Sequence, residues 1–208
     1  MSRTRYLDIV IIPPPKVMRA SIDASLLLAQ RYGSTLILDK GRALPHISLY
    51  HLAVAKMAPF ESKLTEIAGA TGQGEMEITG IHLYREFNSI AIELSKPEWL
   101  RRLYLRLLHD LNPLRDPMFD NHRAWNSERL SKEQRKYITK YGTPLVGRSF
   151  IPHITLGVIP EIARMDEAAS AIKPPSERFR VTEISVCEQG PHHTCHQPLF
   201  RVPLNIVS

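Results

Sequence analysis

The sequence has few cysteines and no long apolar runs, and both shortages narrow the kind of protein it encodes. Its two cysteines, Cys187 and Cys195, are too few for the disulfide framework of a small secreted domain. The first apolar run, from Leu7 to Ile12, stops at three prolines, and no segment approaches the roughly 20 residues of a membrane span. These shortages predict a cytoplasmic protein with reduced cysteines and no membrane partner.

The rest of the composition is typical of a folded globular protein. The 208 residues are 43% hydrophobic and 23% charged, which suits one large domain or two small lobes with a real core. The formal net charge of +6 favours a polyanionic partner such as a nucleotide or RNA, although only weakly.

A five-residue motif occurs twice, with the two copies more than half of the chain apart. Residues 45–49 read Pro-His-Ile-Ser-Leu, and residues 152–156 read Pro-His-Ile-Thr-Leu. Each copy lies in an apolar run that favours a β-strand, where side chains alternate between the two faces. The histidine of each copy therefore shares a face with the hydroxyl residue two positions later, while the isoleucine and leucine face the core.

Two such strands would offer two imidazoles and two hydroxyls to one phosphate. Imidazole titrates near neutral pH, so one of His46 and His153 can take a proton while the other gives one. Opening a cyclic phosphodiester with water needs both acts. Ser48 and Thr155 are in place to donate hydrogen bonds to the phosphate oxygens. This scheme needs no metal and no cofactor.

The predicted elements follow the same order in both halves of the chain. Strand, helix, motif strand, helix and strand run from Tyr6, and the same order begins again at Ser89. Residues 36–38 are predicted as a short strand and residues 177–188 as one longer strand. Residues of about 112–149 form an insertion before the second motif, read as a loop, a polar helix and a second loop. The shared order predicts an internal duplication whose pseudo-two-fold axis brings the motifs face to face.

The doubled His-x-Ser/Thr pattern resembles the 2H phosphoesterase superfamily, and in particular its LigT-like 2′,3′-cyclic phosphodiesterases, also called 2′-5′ RNA ligase family proteins. The resemblance implies one bilobal α+β domain over residues 1–208, with two antiparallel β-sheets flanked by helices and an active-site cleft between the lobes. It implies that His46 and His153 are the catalytic acid and base, and that Ser48 and Thr155 bind phosphate. For hydrolysis to a 2′-phosphate it makes His46 the acid, and a reversed substrate exchanges the two roles.

Three further residues are candidates for substrate binding. Tyr50 continues the face of His46 in the strand pattern, and it either lines the cleft or packs in the core. Arg148 and Phe150 precede the second motif, where they would contact a phosphate or stack on a base; a solvated loop and core packing are the respective alternatives. His51 stands at an odd offset from His46 and is expected to point away from the site.

The segment from Cys187 to His196 holds both cysteines and three histidines around a Gly-Pro pair. Its spacing matches no standard zinc motif, so a solvated hairpin loop that could border the cleft is the interpretation, and a zinc site is the alternative.

Together these observations predict a metal-independent hydrolase that acts on 2′,3′-cyclic phosphates of nucleotides or RNA ends, most simply as a monomer. RNA ligase activity stays open at this point. The rival hypothesis is an RNA- or nucleotide-binding module that uses the same cleft without turnover.

Overall fold

The computed structural model describes residues 4–41, 43–116, 128–190 and 193–206, which form eight strands and five α-helices. The strands are β1 (Arg5–Ile11), β2 (Ile47–Val54), β3 (Gly74–Tyr84), β4 (Ser89–Leu94), β5 (His153–Val158), β6 (Arg178–Val181), β7 (Glu183–Gln189) and β8 (Cys195–Pro203). The helices are α1 (Pro15–Tyr32), α2 (Met57–Gly69), α3 (Glu98–Leu111), α4 (Lys132–Tyr141) and α5 (Met165–Ser170).

Local sequence accounts for several of these boundaries. Helix α1 ends at Gly33, whose φ of 68° lies in the left-handed region that glycine adopts without steric cost. Helix α4 begins after Ser131, which forms a capping box with Gln134. The apolar stripe predicted along α3 is buried throughout, at Leu100, Leu103, Tyr104, Leu107, Leu108 and Leu111. Burial of this stripe joins α3 to the main core.

The strands form two four-stranded antiparallel sheets, in the orders β2-β1-β7-β8 and β5-β4-β3-β6. The predicted α+β class with two antiparallel sheets is confirmed. The lobes are not the two halves of the chain, however. Strand β3 joins the sheet of the second motif, and β7 and β8 join the sheet of the first.

The two motif strands, β2 and β5, are edge strands that contact each other. Helix α1, which follows β1 in the first sheet, packs on β5, and helix α3 packs on β2. Two hydrogen bonds between the lobes reinforce this packing. The Val158 N–H donates to Ser34 Oγ at 3.0 Å, and the Asp116 N–H donates to the Ala53 carbonyl at 2.8 Å. Each lobe therefore covers an edge that the other would leave exposed.

Both motif strands carry a β-bulge at the same position of the motif. The pairing register skips Leu49 in β2 and Leu156 in β5. A bulge turns the side chains beyond it to the other face of the strand. The shared position supports the internal duplication more specifically than the order of elements does.

Two local predictions are wrong. Residues 36–38 form no strand, because side chains bind this backbone instead: Leu38 N–H donates to Ser25 Oγ at 2.9 Å, and Ser34 Oγ donates to the Leu36 carbonyl at 2.8 Å. The strand predicted at 177–188 is two strands, β6 and β7, which meet at Thr182 and belong to different sheets. Continuous apolar alternation contains no sign of a change of sheet.

The predicted insertion is described only in part. Residues 117–127 lie outside the described residues, and Trp125 is among them. Its predicted polar helix is confirmed as α4, which begins after Ser131.

Cys187 and Cys195 form a disulfide between β7 and β8, so the expectation of reduced cysteines is wrong for this structure. The two Cα atoms lie 5.4 Å apart on paired antiparallel strands, a usual span for a disulfide. Only the hairpin brings them this close.

Within the described residues, no helix is both long enough and apolar enough to cross a membrane.

The packing of α1 on β5 predicts that replacing Gly157 by alanine destabilises the protein. An added Cβ would lie 2.7 Å from Ser34 Oγ and 2.8 Å from Leu28 Cδ1, both in the segment that covers β5. We expect a loss of about 1–3 kcal/mol in the free energy of unfolding, measured by urea denaturation. Gly80→Ala is the matched control, since its Cβ meets nothing within 4 Å. Equal stability of the two variants would contradict this packing.

Candidate active site

A cavity of about 750 Å³ is lined by residues from both lobes. His46 and Ser48 reach it from the first motif, and His153 and Thr155 reach it from the second. The contact between the two edge strands explains why residues so distant in the chain meet here. The structure thus brings together the four residues that the repeated motif singled out.

The ring of His153 is held in one tautomer. Its Nδ1 lies 2.7 Å from the Ile151 carbonyl oxygen and 3.1 Å from the Tyr84 hydroxyl. A carbonyl can only accept, so Nδ1 carries the proton and Nε2 is the basic nitrogen of the neutral ring. Burial, and after it the positive charge of His46, lower the pKa of His153 to about 4, although the Ile151 carbonyl opposes the change. His153 is therefore a neutral ring with a proton-accepting nitrogen.

The ring of His46 is held in the same way but also faces a carboxylate. Its Nδ1 lies 2.7 Å from the Leu44 carbonyl oxygen, and its Nε2 lies 3.5 Å from Asp8 Oδ2. Both nitrogens thus face acceptors, which only an imidazolium satisfies with two donors. Burial by itself would lower the pKa of His46, but the Asp8 carboxylate and the Leu44 carbonyl raise it above its usual value.

The motif proline explains this common geometry. Pro45 stands between Leu44 and His46, and the second motif repeats the arrangement one residue before His153. Proline fixes φ and keeps the preceding residue extended, so the carbonyl two residues before each histidine stays in reach of Nδ1. The proline therefore orients the ring.

Asp8, in β1, is a fully buried carboxylate behind the cavity wall. Its Oδ2 accepts a hydrogen bond from the Ser48 hydroxyl at 2.7 Å and lies 3.2 Å from His51 Nε2, besides facing His46. Burial alone would raise the pKa of Asp8, but His51 and His46 lower it far below its usual range. The sequence signal for this residue is a single acidic residue inside an apolar strand.

The prediction that His51 points away from the site is wrong. The bulge in β2 pairs Ser48 with Val10 and His51 with Asp8. Asp8 and Val10 are two residues apart in β1 and share a face, so Ser48 and His51 share a face as well. His51 therefore lines the cavity.

The two motif hydroxyls are not equivalent in their bonding. Ser48 donates its only hydroxyl hydrogen to Asp8. Thr155 lines the cavity from β5, and its hydroxyl makes no hydrogen bond to the described part of the chain. Thr155 can therefore donate to a ligand at once, whereas Ser48 would first have to leave Asp8.

Tyr50 reaches the cavity and Arg148 does not. Tyr50 lines it, yet the side chain is almost fully buried and its hydroxyl donates to Asn112 Oδ1 at 3.0 Å. Both of the alternatives for Tyr50 therefore apply to one residue. Arg148 is exposed in the turn at 147–149, away from the described lining of the cavity.

Phe150 lines the cavity, but its ring is already covered. It stacks on Tyr104 with 3.8 Å between ring centres, and Lys96 Nζ lies 5.0 Å from the ring centre. Tyr104 therefore covers one face of the Phe150 ring, and the Lys96 ammonium also lies over the ring. Stacking of a base on Phe150 would require these contacts to open.

The loop between β7 and β8 borders the cavity, as the sequence interpretation allowed. Gln189 and His193 line it, and the Gln189 amide nitrogen lies 3.0 Å from His51 Nδ1 and 2.7 Å from His193 Nδ1. The disulfide engages both cysteines of this segment, and His192 lies outside the described residues. Among the residues that are described, no cluster of three or more potential metal ligands occurs.

The sequence did not single out three residues of the lining, Tyr84, Glu86 and Glu128. Glu86, Glu128 and Arg129 line the cavity from the second lobe. Arg129 donates to the Arg85 carbonyl at 2.7 Å and to Asn88 Oδ1 at 2.6 Å. Glu86, Glu128 and Arg129 lie in turns without periodicity, so only their position in the fold marks them.

A protein-family model described as "Protein of unknown function (DUF1045)" matches residues 52–194, which include the second motif. The chain belongs to the DUF1045 family. A search of curated proteins gives no significant match.

Solved structures connect this DUF1045 protein to a known fold. TT0787 of Thermus thermophilus is 17% identical with a TM-score of 0.58, and the match covers 98% of this chain and 100% of that one. E. coli LigT in its apo form is 19% identical with a TM-score of 0.55, and the match covers 98% of this chain and 99% of LigT. E. coli LigT complexed with 3′-AMP gives 0.54 at the same identity and coverage. The likeness confirms the LigT-like fold predicted from the doubled motif.

Because its pKa is lowered in the folded protein, His153 should make the protein less stable at acid pH. Its pKa of about 4 in the folded state lies below the ordinary 6.5, so the unfolded chain binds the proton more readily. The contribution is complete above pH 6.5 and is lost as the pH falls towards 4. When the pH falls from 7 to 4.5, the free energy of unfolding should therefore drop by about 2–3 kcal/mol more in the native protein than in His153→Gln. Urea denaturation at the two pH values measures this difference.

His196→Gln is the control for this measurement, because His196 is exposed on β8 and forms no ion pair within the described residues. It should follow the native protein at both pH values. The same pH dependence in the native protein and in His153→Gln would contradict a depressed pKa at His153.

Proposed function

We propose that this protein is a phosphodiesterase that hydrolyses 2′,3′-cyclic phosphates of nucleotides or RNA ends to 2′-phosphates. The observation that carries the proposal is the convergence of His46 and His153 on one cavity in opposite environments. A pair of titratable groups whose surroundings move their pKa values apart is the usual mark of an acid and a base in one site. His46 has the proton to give, and His153 has the nitrogen to receive one.

In the proposed step, a water molecule attacks the phosphorus of the cyclic ester. His153 Nε2 takes a proton from the water as the new P–O bond forms. The bond from phosphorus to O3′ breaks, and His46 Nε2–H gives its proton to that oxygen. Nε2 lies 3.5 Å from Asp8 Oδ2, longer than most hydrogen bonds, and the ring lines the cavity in which the substrate would bind.

Two features support a nucleotide or RNA end as substrate. A cavity of about 750 Å³ falls within the usual range for small-molecule sites, and the net charge of +6 favours a polyanion. A structural neighbour, E. coli LigT, has been solved with 3′-AMP. Both proton carriers in the scheme are side chains, so the step calls for no metal.

Replacing either histidine by alanine should abolish the activity while the fold is retained. Loss of one proton carrier is expected to lower kcat for a nucleoside 2′,3′-cyclic phosphate by about 10²–10⁴-fold. The products are read by phosphorus NMR, which also distinguishes a 2′- from a 3′-phosphate. His109→Ala, on the exposed end of α3, is the matched control and should keep the native rate.

Two results would count against this assignment. Turnover that persists in His46→Ala or His153→Ala would exclude the two-histidine step, and a rate abolished by EDTA would exclude the metal-free scheme. Tight binding of a nucleoside 2′-phosphate without hydrolysis of any cyclic substrate would favour the alternative, a non-catalytic nucleotide- or RNA-binding module.

Removing the Thr155 hydroxyl should mainly reduce activity, whereas removing the Ser48 hydroxyl should mainly reduce stability. Thr155→Val removes a donor to the phosphate and should lower kcat/KM by about 10–100-fold, the usual effect of one hydrogen bond to a charged group. Ser48→Ala removes a hydrogen bond to buried Asp8 and should cost about 1–3 kcal/mol in the free energy of unfolding. Equal losses of kcat/KM without loss of stability in Ser48→Ala would instead make Ser48 a phosphate ligand.

A further inference from the structure

The duplication allows the surroundings of the two histidines to be compared position by position. In the first lobe, Asp8 of β1 pairs with His51 of β2, three residues after Ser48. The equivalent pair in the second lobe is Ser89 of β4 and Val158 of β5, three residues after Thr155. The first lobe thus has a carboxylate and an imidazole where the second has a hydroxyl and an isopropyl group. The motif residues are therefore repeated in the second lobe, but the residues at this pair of positions are not.

Counting donors and acceptors shows which histidine carries the charge that balances Asp8. His51 Nε2 lies 3.2 Å from Asp8 Oδ2, and the Gln189 amide nitrogen, a donor, lies 3.0 Å from His51 Nδ1. A protonated Nδ1 would place two donors against each other, so Nδ1 accepts from Gln189 and Nε2 holds the hydrogen that faces Asp8.

His46 has the opposite balance. Its two nitrogens face the Leu44 carbonyl and Asp8 Oδ2, which are both acceptors. A buried carboxylate is tolerated when a cation is paired with it, and Oδ1 of Asp8 accepts no hydrogen bond from the described residues. The positive charge beside Asp8 is therefore that of His46.

We propose that Asp8, a residue outside both motifs, is a positioning residue that keeps His46 protonated. It thereby makes His46 the proton donor and leaves His153 as the acceptor. This inference rests on the proposed function. The second lobe lacks a carboxylate at the equivalent position, so the two roles are not interchangeable in this protein.

Other titratable groups share the cavity and must be held constant in any test. His51 approaches from β2, His153 and Tyr84 from the second sheet, and His193 from the loop before β8. Glu86, Glu128 and Arg129 line the second lobe. An isosteric change at Asp8 leaves all of these in place and removes only the buried carboxylate.

Asp8→Asn should therefore move one limb of the pH profile. In the native protein, kcat/KM for a nucleoside 2′,3′-cyclic phosphate should fall at acid pH as His153 gains a proton and at alkaline pH as His46 loses one. Asp8→Asn should shift the alkaline limb down by about one pH unit or more and leave the acid limb unchanged. The rate loss would be about tenfold or more on the alkaline side and small near pH 5.

Asp23→Asn, on the exposed side of α1, is the matched control and should keep the native profile. An equal fractional loss at every pH in Asp8→Asn would reduce Asp8 to a structural residue and overturn the proposal. A shift of the acid limb alone would overturn it too, because it would place the effect on His153.

A second measurement needs neither substrate nor a variant of Asp8. Nitrogen NMR of the labelled native protein should show both ring nitrogens of His46 protonated at pH 7, with the signals assigned by their loss in His46→Gln. A neutral His46 would overturn the proposal even if Asp8→Asn did not fold. If His46 is charged but no cyclic phosphate is hydrolysed, the proposed function fails while the pairing of Asp8 with His46 stands.

Discussion

The contact between the two motif strands is the constraint on which the rest of the structure depends. Strands β2 and β5 are edges of separate sheets, and each is covered by a helix that belongs to the other lobe. Residues of both lobes form one hydrophobic core, so the burial that folds this core also closes the site. The four motif side chains therefore need no mobile segment to bring them together.

Duplication supplies two similar rings, but acid–base chemistry needs two different ones. The prolines and carbonyls of the motif repeat faithfully, and both histidines have Nδ1 bound in the same way. The difference arises behind the motif, where Asp8 faces one ring and the Tyr84 hydroxyl contacts the other. A single buried charge is sufficient because little water is present to screen it.

The strand pattern predicted the motif residues well and the residues beyond them poorly. Alternation places His46 and Ser48 on one face, and the structure agrees. It fails at His51, because a bulge at Leu49 adds a residue that periodicity does not detect. It fails again at Thr182, where an unbroken apolar pattern changes sheet. Pairing partners decide both cases, and they lie far away in the chain.

The sequence by itself determined the chemistry on offer: two imidazoles, two hydroxyls and a proline before each histidine, repeated on strands of a duplicated α+β chain. Those properties depend on residue type and on spacing within a few positions, which one sequence displays directly. Only the tertiary structure decided that Asp8 lies behind His46, that Ser48 is bound to it, and that the two cysteines are joined. Each of these depends on which strands lie side by side, and long-range packing of the whole core determines that.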